Sequence, residues 1–284
     1  ASLTAAWFEK EKARPEALGL GPRYQVLGPL TGTWGGPSRA QSLETGLEVV
    51  LKELSPVVVG NPSDAWLRFI TAVAGASHPS LGRVVDGGVR PSGALAVRWM
   101  ALEPVPGRAA SHRIAEGAQP LRTVVGRVRA LAAALHLLHS RGVVHGGVTP
   151  GNVILRPDGG ASLVGHGSAF LRRDGRLGPA PATTESDYLA PEHLGSGTIP
   201  GPASDVFGLV AVAVGMATGR PPFERTPDGG RGPRRELVGT TDPVPAALSD
   251  LLSRALADAA SERPTAEDVG HSLAYVEAVL RPSS

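Results

Sequence analysis

The sequence predicts an α+β chain of two lobes, a small antiparallel β-sheet lobe carrying one helix followed by a larger, mainly helical lobe. Three observations lead there. From Tyr24 to Glu103, short β-branched runs are punctuated by Gly and Pro, the pattern of strands and hairpins. After Pro104 the apolar period becomes that of helices. At 284 residues the chain is also long enough to bury a sizeable core in two such lobes. The expected division is an amino-terminal extension over 1–22, a first lobe over 23–103 and a second over 104–284.

In chain order, Glu48-Val49-Val50-Leu51, Gly82-Arg83-Val84-Val85 and Ala94-Leu95-Ala96-Val97 read as strands. One helix interrupts them, with Asp64 as its cap, Trp66, Phe69, Ile70 and Val73 as its apolar stripe and Gly75 at its end. Beyond Pro104, Leu121, Val124, Val125, Val128, Leu131, Ala132, Leu135 and Leu138 share one helical face, and Gly142 is placed to stop it. Further helices start near Pro245 and at Thr265, where Asp268 stands three residues on as a capping box requires. Arg172 to Ala182 and Pro227 to Pro233 read as exposed loops, and no internal repeat is seen.

Composition narrows the function. With 42% apolar and 19% charged residues the chain is an ordinary globular one, and a net charge of +2 with only 4% aromatics argues against a nucleic-acid partner. Lysine occurs only at Lys10, Lys12 and Lys52 among 28 cations, which with the Ala, Gly and Pro content suggests a GC-rich bacterial genome. The absence of cysteine excludes disulfides and thiolate metal sites. Neither end carries a signal-peptide or membrane-span pattern, and the run from Val206 to Gly219, about fourteen residues, falls short of the ~20 a bilayer helix needs. It reads as a buried core helix in a cytoplasmic chain, or in the cytoplasmic part of a longer parent with a span elsewhere. The opening Ala1 agrees with a fragment.

The chemistry lies in Val143-Val144-His145-Gly146-Gly147-Val148-Thr149-Pro150-Gly151-Asn152. This stretch resembles the catalytic loop of the bacterial, actinobacterial-type serine/threonine protein kinases, with His145 and Asn152 at the family's spacing. Other segments follow in the family's order. Gly165-His166-Gly167 stands where the family has Asp-Phe-Gly, and Ala190-Pro191-Glu192 matches Ala-Pro-Glu. Ser204-Asp205-Val206-Phe207-Gly208 resembles the start of the central helix, and Glu262-Arg263-Pro264 the late arginine. Upstream, Val49-Val50-Leu51-Lys52 matches the strand-three lysine and His78-Pro79 the loop after the regulatory helix.

The departures are as telling. Phosphoryl transfer needs a carboxylate for the hydroxyl proton and oxygen ligands that hold magnesium on the phosphates. Here the base position is Gly147 and the metal position Gly165. The loop's arginine and lysine are replaced by Gly146 and Thr149. No glutamate lies between Asp64 and Asp86 to meet Lys52, and Leu30 to Pro37 breaks the Gly-x-Gly-x-x-Gly spacing, with Trp34 bringing bulk. The resemblance therefore implies a degenerate pseudokinase, not an enzyme, that binds protein partners as a regulatory or scaffolding domain and needs no cofactor or metal.

Vestigial nucleotide contacts are expected at Lys52, Asn152 and a hinge at Glu103-Pro104-Val105, bordering an adenine-sized slot. Lys52 reads equally as a solvated strand-end lysine, and Asn152 as a bond to its own loop. The resemblance assigns structural roles to His145, Asp205 and the pair Glu192–Arg263, and His166 reads as packing in the phenylalanine place. Thr183 and Thr184 stand where members are often phosphorylated, which would suit a phosphothreonine-reading domain or an active kinase as partner. The alternative is an atypical kinase or nucleotidyl transferase using Lys52 and displaced carboxylates such as Glu185 or Asp187.

Overall fold

The computed structural model describes residues 23–30, 37–54, 57–58, 63–92, 95–166, 187–193, 200–227, 231–234 and 244–280. The described residues up to Ser77 together with Gly82–Pro104 make one compact unit; His78–Leu81 and the described residues from Val105 onward make the other.

The first unit is an antiparallel sheet built from β1 (Tyr24–Pro29), β2 (Ser38–Ser42), β3 (Glu48–Glu53), β4 (Val57–Val58), β5 (Val84–Ser92) and β6 (Leu95–Leu102). Their order is β1-β2-β3-β6, with β5 along the other edge of β6 and β4 on its first residues. Val49 and Leu51 of β3 are buried because side chains alternate across a strand. Opposite Val49 stands Ala40, and opposite Leu51 stands Ala101. Those four pack with Trp99, so a one-residue slip would turn the set to water.

Helix α1 (Ser63–Ala74) lays Trp66, Phe69, Ile70 and Val73 on β5 and β6. Each such burial is worth about 1.5–3 kcal/mol. Trp66 also donates its indole N–H to the Gly88 carbonyl at 2.8 Å and stacks on Phe69 with centroids 5.2 Å apart. The helix starts at Ser63, which places Asp64 inside the first turn instead of ahead of it. Acidic residues are favoured at both places, by capping and by the positive helix end, so residue type alone did not fix the boundary.

The second unit opens with β7 (Arg108–Ala109), α2 (Ala110–Ala115) and the long α3 (Leu121–Ser140). All eight apolar residues of the α3 stripe are buried. A single turn over Pro150–Asn152 leads into β8 (Val153–Leu155), which pairs antiparallel with β7 and with β9 (Ala161–Leu163). Helix α4 (Pro202–Thr218) is buried on nearly every side and ends at Gly219 in the left-handed conformation, φ 69°. Two more helices, α5 (Ala246–Ala255) and α6 (Ala266–Val279), complete the unit, with α6 on α3. Thr265 and Asp268 cap α6 reciprocally, at 3.0 and 3.2 Å. Among the described residues, no helix is long and apolar enough to cross a membrane.

One segment departs from its reading as an exposed loop. Within Pro227 to Pro233, Arg231 opens β11 (Arg231–Arg234), which pairs with β10 (Phe223–Arg225). The Arg231 guanidinium lies 4.4 Å from the Phe223 ring centroid and 5.4 Å from that of Phe207, and it donates to the Leu189 carbonyl. These contacts, made by residues far apart in sequence, order Arg231, whose sequence surroundings alone look loop-like.

Candidate functional site

The loop between α3 and β8 is held by its backbone. Asp205, in the first turn of α4, accepts the N–H groups of His145 and Gly146, each at 2.8 Å. His139, from the last turn of α3, stands 3.0 Å from the same carboxylate. Asp205 is 1% exposed, so these bonds operate where water does not compete. Gly208, one turn further along α4, lets the helix come close: a Cβ there would meet the Val148 carbonyl and approach Val148 Cβ to 3.1 Å. His145 is buried, its Nε2 2.9 Å from the Val164 carbonyl oxygen and its ring edge-on to that of His166 at 5.2 Å. His139 was not singled out from the sequence; its one signal is its place in the last turn before the loop.

Asn152 folds back on this loop, donating Nδ2 to the Gly147 carbonyl at 2.7 Å, while its own carbonyl accepts the N–H of Val164 at 2.8 Å. Gly165 follows with φ +83°, and a Cβ added to it would fall 2.7 Å from Asn152 Cγ and closer still to Oδ1. The Asn152 amide thus fills the ground a side chain at 165 would cross. Thr149 is buried, and among the described residues its hydroxyl meets no hydrogen-bond partner.

A kinase-type site implies a magnesium ion beside the nucleotide phosphates. The residues present do not fit it. Magnesium demands near-octahedral oxygen ligands with at least one carboxylate. Positions 147 and 165 offer no side-chain oxygen, and Asn152 Oδ1 lies beside position 165. Among the described residues, no group of three or more His, Asp or Glu could hold a metal ion.

Glu192 and Arg263 form a two-pronged ion pair, at 2.7 and 2.8 Å, with the Arg263 side chain 0% exposed and that of Glu192 21%. Ser204 donates to Glu192 at 2.8 Å, while Arg263 also reaches the carbonyls of Ala203, Ala257 and Asp258 and lies 5.0 Å from the Phe207 ring centroid. Burial works to raise the Glu192 pKa. The bonds from Arg263, its own backbone N–H and Ser204, with the Arg263 charge, reverse this and leave it at about 2.

Lys52 sits in β3, and burial pushes its pKa down to about 8. Glu103 is exposed and ion-paired with Arg83, and Val105 is half-buried. Asp187, one of the carboxylates considered for displaced chemistry, is 2.9 Å from Arg225. The other, Glu185, lies outside the described residues, as do Thr183, Thr184, Ser186, Thr31–Gly36 with Trp34, and the extension over 1–22.

Comparison with known proteins supplies the rest. Residues 24–273 match the protein kinase domain. The DNA damage-responsive serine/threonine-protein kinase RqkA of Deinococcus radiodurans is 29% identical over 92% of this chain and 40% of its own length. Serine/threonine-protein kinase PknI of Mycobacterium tuberculosis is 30% identical over 75% of this chain and 34% of its own, and PknB of Mycobacterium leprae 27% over 72% and 34%. The chain therefore spans between a third and two fifths of the length of these relatives. The expectation that it is not an enzyme is overturned here, because the relatives are named as kinases and the kinase domain is matched over most of the chain, which points to an enzyme. An α+β architecture of sheet unit and helical unit, a lysine in its third strand, a His–Asn loop tied to the head of a buried helix and these relatives lead to one assignment: the chain belongs to the protein kinase family, among bacterial serine/threonine kinases.

Proposed function

We propose that the chain is a signalling domain in the cytoplasm that binds and regulates protein partners and carries an atypical, slow form of serine/threonine phosphoryl transfer. The observation that carries this reading is the contrast between a loop held in place and the groups missing from it and from the turn after β9. Asp205, His145 and Asn152 hold its path, while the base position is Gly147 and the metal position is a Gly165 closed off by Asn152. Without a carboxylate at 147, the attacking hydroxyl has no side-chain proton acceptor there, and general-base help is worth about 10²–10⁴ in rate. Lys52 is the cation offered to the nucleotide phosphates. The partners fitting this role are proteins, among them a phosphothreonine-reading domain if an active kinase modifies Thr183 or Thr184.

Transfer of labelled phosphate from ATP to a mixed Ser/Thr peptide pool tests this. The expected rate lies about 10²–10⁴ below that of a family member with both carboxylates and falls to background in Lys52→Ala. An undiminished rate would refute the slow chemistry. Incorporation no greater than that of a heat-denatured control would refute the enzymatic half.

A further inference from the structure

In the helical unit, the chain around β7 and α2, the start of α3 and the residues after β8 border an open cavity of about 360 Å³. Arg108, Arg113, Arg127 and Arg156 line it, with Gln119 and Thr123. Two carboxylates answer the four guanidinium groups: Glu116 lies 2.9 Å from Arg108 and 3.8 Å from Arg113, and Asp158 lies 3.1 Å from Arg156. Among the described residues Arg127 meets only neutral oxygens, Gly159 O at 2.9 Å and Gln119 Oε1 at 2.6 Å. The cavity therefore keeps an excess of two positive charges. Burial first, and the Arg113 charge second, lower the Arg127 pKa, as two cations sharing one wall require.

Gln119 supplies an independent sign. It is 2% exposed, and its Oε1 is taken by Arg127, which fixes the amide orientation. Among the described residues its Nε2 has no acceptor. A buried amide donor without an acceptor is destabilising, and an anion oxygen brought to it from the cavity Gln119 lines would relieve that cost. The first turn of α3, which carries Thr123, has no acidic residue, so the positive end of a 20-residue helix adds to the same field.

We infer that this cavity binds a phosphate dianion, free or as a monoester. The excess of two charges matches that dianion, and guanidinium forks with an amide donor suit tetrahedral oxygens. No aromatic side chain lines the cavity to stack a base. The dianion has two sources, free phosphate or a phosphorylated side chain of a partner.

Calorimetric titration of the intact chain at low salt with inorganic phosphate, a phosphothreonine peptide and the same peptide unphosphorylated tests the assignment. Saturable binding of a phosphate-bearing probe is expected, weakened about tenfold or more both by Arg113→Gln and by Thr123→Glu, which sets a carboxylate at the cavity. Both positions lie on helix surfaces, and circular dichroism shows whether each variant is folded; if one is not, the other decides. Equal affinity for phosphate and phosphopeptide supports the free anion as source, and tighter phosphopeptide binding supports a partner's side chain. No saturation by about 10 mM, equal binding of the unphosphorylated peptide or indifference to the folded variants overturns the site.

Discussion

Replacing Glu192 with Gln isolates the energetics of the ion pair that ties the segment before α4 to the chain before α6. The carboxyl falls from 4.5 to about 2 in the folded chain. At 1.36 kcal/mol per pH unit, that drop corresponds to about 3 kcal/mol, and screening by the solvent that still reaches Glu192 brings it to about 2. The sign follows from the depressed value: the stabilisation is complete above pH 4.5, where the unfolded chain is also ionised, and is lost as pH falls toward about 2. Glu192→Gln should therefore lower stability by about 2 kcal/mol at neutral pH, while wild type and variant converge in acid, with more than half the gap closed by about pH 3. Urea unfolding of both proteins across this range, followed by tryptophan fluorescence, measures the gap. A gap unchanged between about pH 6 and pH 3 would refute the assignment of the stabilisation to the ionised pair.

Asp205→Ala should cost about 2–5 kcal/mol, since two buried N–H groups lose their acceptor, and hydrogen exchange at His145 and Gly146 should accelerate with it. Gly165→Asp should fail to restore magnesium-dependent nucleotide binding in a thermal-shift assay and should itself cost about 1–3 kcal/mol, because it puts a Cβ against Asn152 at φ +83°. A magnesium-dependent rise in melting temperature in that variant would show that Asn152 yields. Gly208→Ala should destabilise by about 1–3 kcal/mol through overpacking against Val148, read as a lower urea midpoint. Relative to Lys52→Met, wild-type stability should rise between about pH 8 and pH 10.5, because the folded lysine sheds its proton there while the unfolded one keeps it; a parallel course excludes the lowered pKa.

What the sequence made legible was local and periodic. The α3 stripe needed only the 3.6-residue period, and the α6 start only Thr265 with Asp268. The catalytic-loop spacing showed which chemical groups position 147 lacks. Arg231 stayed hidden because its order comes from two phenylalanine rings contributed by other elements. The closure of Gly165 by Asn152 was equally out of reach, since it depends on a backbone angle and a side-chain direction that no motif encodes. The cavity arginines are scattered from 108 to 156 and only the fold gathers them. Inferring enzymatic status from missing carboxylates alone also overran what residue identities can establish, as the named relatives show.

The bond pattern of Asp205 has a consequence for how this loop can change. Its two acceptor oxygens grip main-chain atoms, which every amino acid at 145 and 146 except proline supplies. The grip of Asp205 on the loop thus does not depend on which side chains the loop displays, while Gly146, at φ +71°, holds a backbone conformation that favours glycine. At 165 a carboxylate would meet the Asn152 amide, and that one side chain would have to turn aside to admit it.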